Sequence, residues 1–284
     1  MKHIFSILSI CCFSIVGYAQ DTQSVKADIL LDSALLNQLS MTDVKFINSV
    51  EYTPKGFIVL SSPNRFYLLG KGGIVPVFKG WKDNAKIESF AVMGKGILLV
   101  VSGNTLYQAN SDTSFIKVTD IPAGDMGITS KYKDIYVYDR TQISDKKDYS
   151  IYQISENKEI TPIVTIPAPV SSVFEQPSLL MFSTKNRLLS VDIKTKNLFQ
   201  ILALPQEDDI ISIVGDTINH AFYFSTNSAI YRIKGSKIEI ISKDFGGILK
   251  YDGDGLLIFN PEKQLIVRLR NNLLYSEAND IEIH

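Results

Sequence analysis

One short apolar segment recurs six times along the chain. Its copies are Phe57-Ile58-Val59-Leu60, Ile97-Leu98-Leu99-Val100, Ile135-Tyr136-Val137-Tyr138, Leu179-Leu180-Met181-Phe182, Ala221-Phe222-Tyr223-Phe224 and Leu256-Leu257-Ile258-Phe259. They begin roughly 40 residues apart, the spacing of four-stranded repeats stacked around an axis. A second segment starts at Phe66, Leu106, Ile151, Leu188, Ile230 and Leu265, about nine residues after the first in every copy but the third. The third copy carries an insertion at residues 139–148. A third segment starts at Ile74, Phe115, Ile160, Leu198, Ile238 and Leu273. A more mixed one precedes each copy, starting at Phe46, Ile87, Met126, Val170, Ile210 and Gly247. Four short segments per copy, with turn residues between them and no helical period, predict an all-β chain.

A single repeat of this kind cannot bury both faces of its sheet. Six of them predict a six-bladed β-propeller of four-stranded antiparallel blades, in which each blade covers its neighbour. The arrangement is similar to the TolB-like and NHL-like propeller superfamilies over residues 44–275. The resemblance rests on period and strand order, so it implies a fold and no particular activity. The connections Ser62-Pro63-Asn64, Ser102-Gly103-Asn104, Thr184-Lys185-Asn186 and Ser225-Thr226-Asn227 end in asparagine, which tolerates the left-handed backbone of hairpin turns. Ring closure has two candidates, residues 25–31 at one end and Ile281-Glu282-Ile283 at the other. Residues 30–39 have a second reading as a short amphipathic helix with Asp32 as its cap.

The N-terminus is built differently. Met1-Lys2-His3 is a basic start, residues 4–16 are apolar but for small Ser and Cys, and Gly17-Tyr18-Ala19 closes with small residues. This order predicts a secretory signal peptide over residues 1–19, cleaved after Ala19. The apolar run is too short for a membrane span, so no integral membrane segment is expected after cleavage. Residues 20–43 form an N-terminal segment and residues 44–284 the propeller. Both cysteines, Cys11 and Cys12, lie in the signal, so the exported part has no disulfide and no thiolate. Ile10 before Cys11 is too bulky for a lipobox, which argues against lipidation. A periplasmic or secreted bacterial protein is the expectation.

Composition excludes other classes. Hydrophobic residues are 45% and charged residues 21%, enough apolar matter for a core. A formal net charge of -1 without a basic run speaks against nucleic acid or an anionic membrane as partner. Beyond the signal only His220 and His284 remain, so no histidine-rich metal site is expected. Asp252-Gly253-Asp254-Gly255 resembles a calcium loop in its first residues only, and a strand follows at once, so it reads as a tight turn. Gly70-Lys71-Gly72-Gly73 joins two strands and cannot serve as a phosphate loop. The inner segments offer Asn48, Glu88, Thr129, Ser172, Ser212 and Lys250 to a central tunnel, a poor set for a divalent metal. No cofactor and no catalytic group is therefore assigned.

A binding surface is the better expectation. Loops from an outer strand to the next inner strand share one face with the loops between second and third strands. That face would carry Trp81 and Lys82, the insertion with Asp139, Arg140 and Lys147, and the acidic stretch Glu207-Asp208-Asp209. Trp81, the only tryptophan, has two readings: an exposed anchor or a plug between blades one and two. The function expected is a binding module for a protein or glycan partner in the cell envelope. A propeller lyase or lactone hydrolase with its site at the tunnel mouth, and a structural subunit, are the alternatives.

Overall fold

The computed structural model describes residues 27–38, 46–70, 73–81, 85–130, 134–205, 207–243 and 245–274. The signal segment, Cys11, Cys12, Lys82 and residues 281–283 lie outside them. Among the described residues, 24 strands form six four-stranded antiparallel sheets, the six blades of a β-propeller.

Blade one is β2 (Ser49–Tyr52), β3 (Ile58–Ser61), β4 (Phe66–Gly70) and β5 (Gly73–Val77). Blade two is β6 (Ser89–Val92), β7 (Leu98–Ser102), β8 (Thr105–Ser111) and β9 (Ser114–Asp120). Blade three is β10 (Met126–Thr129), β11 (Ile135–Asp139), β12 (Tyr149–Ile154) and β13 (Ile160–Ile166). Blade four is β14 (Ser172–Glu175), β15 (Leu179–Thr184), β16 (Arg187–Asp192) and β17 (Leu198–Ala203). Blade five is β18 (Ser212–Asp216), β19 (Ala221–Ser225), β20 (Ile230–Lys234) and β21 (Lys237–Ser242). Blade six takes β22 (Ile248–Tyr251), β23 (Gly255–Asn260) and β24 (Leu265–Arg270) from the end of the repeat.

The fourth strand of blade six comes from the other end of the chain. β1 (Asp28–Leu31) runs antiparallel to β24, pairing Asp28 with Arg268 and Ile29 with Val267. The strand expected at Leu273 is instead a short helix, α2 (Asn271–Leu274). The edge of β24 is already taken by β1, so the chain has no partner there and turns away. Its turn is pinned where Asn271 receives the Tyr251 hydroxyl at 3.0 Å and donates to the Gly253 carbonyl at 3.0 Å. The two readings of residues 30–39 turn out to be consecutive. β1 is followed by helix α1 (Ser33–Gln38), whose Leu35 amide donates to the Asp32 carboxylate at 2.7 Å.

Six clusters of buried apolar side chains fill the six spaces between neighbouring blades. This is why the second strand of every blade is apolar on both faces: it packs on a blade at each side. The outer strands repeat an irregularity as well. β9, β13, β17, β21 and β1 each carry one extra residue against their partner strand, at Val118, Ile163, Ile201, Ile241 and Leu30. Such bulges twist an exposed edge and discourage further pairing. Only β5 pairs regularly, and it carries Pro76, which has no amide to offer. The turn asparagines need one correction. The left-handed residue precedes the asparagine, at Gly103 (φ 54) and Lys185 (φ 49), and the Asn186 side chain donates to the Leu204 carbonyl.

Candidate functional site

The six inner strands surround a central channel of about 400 Å³. An inner strand has no further strand on its axial side, so some of its amides must find other partners. Serines at the head of the inner strands supply them. Ser89 accepts from the Ile128 amide at 3.2 Å, Ser172 from Ile213 at 3.2 Å and Ser212 from Leu249 at 2.9 Å, each time on the next blade. Ser172 and Ser212 are therefore interblade ties as much as channel lining.

Two charges meet on the channel wall. Glu51 of β2 and Lys250 of β22 form an ion pair across the junction of blades one and six, with side chains 15% and 26% exposed. Burial pushes the Glu51 carboxyl above the ordinary range, and the neighbouring ammonium of Lys250 opposes that push. Lys250 was expected here, and Glu51 was not. The inner strand of blade one starts later than its apolar pattern suggested, which brings Glu51 into the wall beside Ser49.

Two aromatic rings complete the wall, and glycines admit them. Tyr138 of β11 lies over Gly127 of β10: a Cβ there would sit 2.3 Å from its ring. Phe174 of β14 lies over Gly215 of β18 in the same way, at 2.4 Å. A glycine inside an inner strand was the legible signal for both rings. Burial raises the Tyr138 phenol, while Arg140 and Lys250 pull it down.

Arg140 sits at the mouth. It pairs with Asp125 at 2.7 Å and donates to the Glu88 carbonyl at 3.1 Å, so it ties blade three to blade two beside the channel. Burial, and then the Asp125 carboxylate, raise the Glu88 carboxyl, against the pull of Lys86 first and Arg140 second. Asp139, the residue before Arg140, is buried and not a surface ligand group. It forms an ion pair with Lys146 and accepts the Thr141 amide at 3.0 Å, while the Tyr149 hydroxyl donates to the Ile143 carbonyl at 3.1 Å. The insertion is thus braced against the scaffold, with Ile143 and Lys147 exposed on it.

Trp81 takes the plug reading. It is 6% exposed, its indole nitrogen donates to the Ala85 carbonyl at 3.0 Å, and its ring meets Phe66, Tyr107 and Phe115 edge to face. An exposed anchor there is overturned, because the loop folds the indole into the apolar space between blades one and two. Glu207 and Asp208 lie in the loop between blades four and five, Glu207 exposed and Asp208 half-buried.

The other chemical motifs resolve into turns. Asp252 accepts the amides of Asp254 and Gly255, both at 2.9 Å, and its other oxygen takes Arg268 at 2.6 Å. The same guanidinium reaches Asp254 at 3.1 Å, so both carboxylates of the turn are engaged by Arg268. His220 is an exposed turn residue with φ 52. Among the described residues no three His, Cys, Asp or Glu side chains converge, and no helix is long and apolar enough to cross a membrane.

No family model matches the chain, and no curated protein matches it. Solved structures do. A candidate gluconolactonase is 10% identical over 87% of this chain and 92% of its own, with a TM-score of 0.66. A catalytically inactive histidine-to-alanine variant of virginiamycin B lyase from Staphylococcus aureus, bound to quinupristin, is 14% identical over 79% and 80%, with a TM-score of 0.58. The extracellular domain of a candidate one-component system from B. thetaiotaomicron is 12% identical over 80% of this chain and 38% of that chain, with a TM-score of 0.52. At such identities the likeness is one of fold: the chain is a six-bladed β-propeller.

Proposed function

We propose that this chain is an exported bacterial binding module that takes a glycan at the central channel. The carrying observation is the chemistry of the channel wall. Serine and threonine hydroxyls, the Tyr138 and Phe174 rings, the Glu51–Lys250 pair and the charged groups of Arg140, Glu175 and Asp252 line a space of about 400 Å³, within the range of about 300–1,000 Å³ usual for small-ligand sites. Rings stack on the apolar faces of a sugar, and hydroxyls and a carboxylate–ammonium pair supply donors and acceptors for its alcohols. Arg140 pairs with Asp125 and Asp252 with Arg268, as Glu51 does with Lys250, so most of the wall's charge is compensated, which suits a neutral ligand. The signal-like N-terminus supports export, and the likeness to an extracellular domain agrees with it.

Titration of the purified chain with neutral and acidic oligosaccharides, followed by calorimetry, tests the reading. A neutral glycan is expected to bind, with affinity falling at least about tenfold in Tyr138→Ala. Absence of binding to every glycan, or binding indifferent to that substitution, would overturn it. An enzymatic reading keeps one observation in its favour: burial holds the Glu51 carboxyl high beside a lysine, as acid–base sites often do. Mass analysis of the titrated glycans separates the two, since an enzyme would return altered sugars.

A further inference from the structure

The outer strand of blade four differs from all the others. β17 reads Leu198-Phe199-Gln200-Ile201-Leu202-Ala203 and holds neither a charge nor a proline. The remaining outer strands carry Asp28 in β1, Pro76 in β5, Lys117 and Asp120 in β9, Pro162 in β13, and Lys237 and Glu239 in β21. Those residues guard an edge against association, and β17 keeps only the bulge at Ile201. Leu198, Phe199 and Ile201 are 46%, 55% and 41% exposed, three large apolar side chains on one strand. Solvent-facing apolar groups gathered in this way mark a contact surface.

The flanks say what covers it. The turn entering β17 carries Lys194 and Lys196, and the loop leaving it carries Glu207 and Asp209, all four exposed. With Asp192 counted at the turn, and with Asp208 and the Lys185 and Arg187 of the adjacent hairpin counted at the loop, the strand runs from a net charge of +1, through an uncharged apolar centre, to a net charge of -1. A polarity of this kind is complementary to itself when reversed. We infer that β17 is the twofold interface of a homodimer. Two copies lie antiparallel, the apolar centres bury each other, and the basic turn of each copy faces the acidic loop of the other. A twofold contact needs such a self-complementary patch, and it closes on two subunits without leaving an edge for a third. The same arrangement accounts for the densest acidic run in the chain, which the channel does not use. It also leaves the channel open on both subunits, giving a bivalent binder.

Sedimentation velocity of the purified chain over a concentration series at low salt tests this. A dimer is expected, weakened by added salt because the end contacts are between exposed charges. Phe199→Lys should abolish it while leaving the melting temperature of the monomer unchanged. Lys196→Glu should weaken it at least about tenfold by setting like charges together, and adding Glu207→Lys to that variant should restore it. A chain that stays monomeric throughout, or a dimer indifferent to Phe199→Lys, would overturn the inference. So would a charge-reversed pair no better than its single parent.

Discussion

Blades one and two are held together by different means from blades six and one. Between one and two the contact is aromatic. Phe66 meets Phe90 at 5.4 Å and Phe78 at 5.9 Å between ring centres, and Trp81 meets Phe115 at 4.9 Å and Tyr107 at 5.5 Å. Between six and one an apolar cluster is also present, but directional bonds are added to it. The Gln264 side chain accepts the Ile47 amide at 2.7 Å and donates to the Ile47 carbonyl at 3.0 Å, copying one rung of a β-ladder. Glu51 and Lys250 pair at the axis, and β1 zips onto β24 at the rim. Blades one and two are joined by a short linker, so their approach is largely set by the chain, and the directional bonds here come from the linker itself: Gly80 donates to the Asp112 carbonyl at 2.9 Å and Ile87 to the Pro63 carbonyl at 2.6 Å. Blades six and one have no such tether, and bringing distant segments together costs chain entropy. Contacts that tolerate only one register choose the closed ring over a slipped one.

The sharpest test of this contrast removes the aromatic plug. Trp81→Ala should cost about 3–5 kcal/mol, the usual loss for a buried large aromatic side chain, read as a lower midpoint in urea. A loss below 1 kcal/mol on the order of a surface change would mean the other rings hold the junction without it.

At the closure, Lys250→Met should cost about 2–3 kcal/mol near neutral pH, less than a fully buried pair because both side chains keep some exposure. The reason is the carboxylate left behind. Pairing with the pH dependence makes this specific. The Glu51 carboxyl is raised in the folded chain, so folding favours its protonated form, and its contribution to stability is lost as pH rises through the raised value. The double variant Glu51→Gln with Lys250→Met has no such loss. Its stability should gain on that of the natural chain as pH climbs from acidic to neutral, measured by thermal unfolding at each pH. A gap that stays constant would remove the ion pair from the account of closure.

The smallest effect is expected at the rung. Gln264→Ala should cost about 1–2 kcal/mol, two part-buried hydrogen bonds with backbone groups left behind. Hydrogen exchange should quicken near Ile47 and leave blades two to five alone.

The channel was only partly readable from the residues in order. Thr129, Ser172, Ser212 and Lys250 are legible because each lies in the inner segment of its repeat, whereas Asn48 and Glu88, offered by the same pattern, are not among the lining residues. Glu51, Tyr138 and Phe174 were missed. Glu51 lies one residue beyond the segment whose pattern ends at Val50, and the rings reach the wall through Gly127 and Gly215, positions that look like weak spots in a strand. Arg140 lines the channel, whereas Trp81 and Asp139 are buried in the packing.

Blade number, strand order and hairpin positions were determined by the residues alone, because each depends on alternation and turn chemistry within about 40 residues. The tertiary structure decided which end closes the ring, which acid meets Lys250 and where the tryptophan goes. Those outcomes join groups from opposite ends of the chain or from loops that bend between two surfaces. Only the completed circle sets the distances at which they compete.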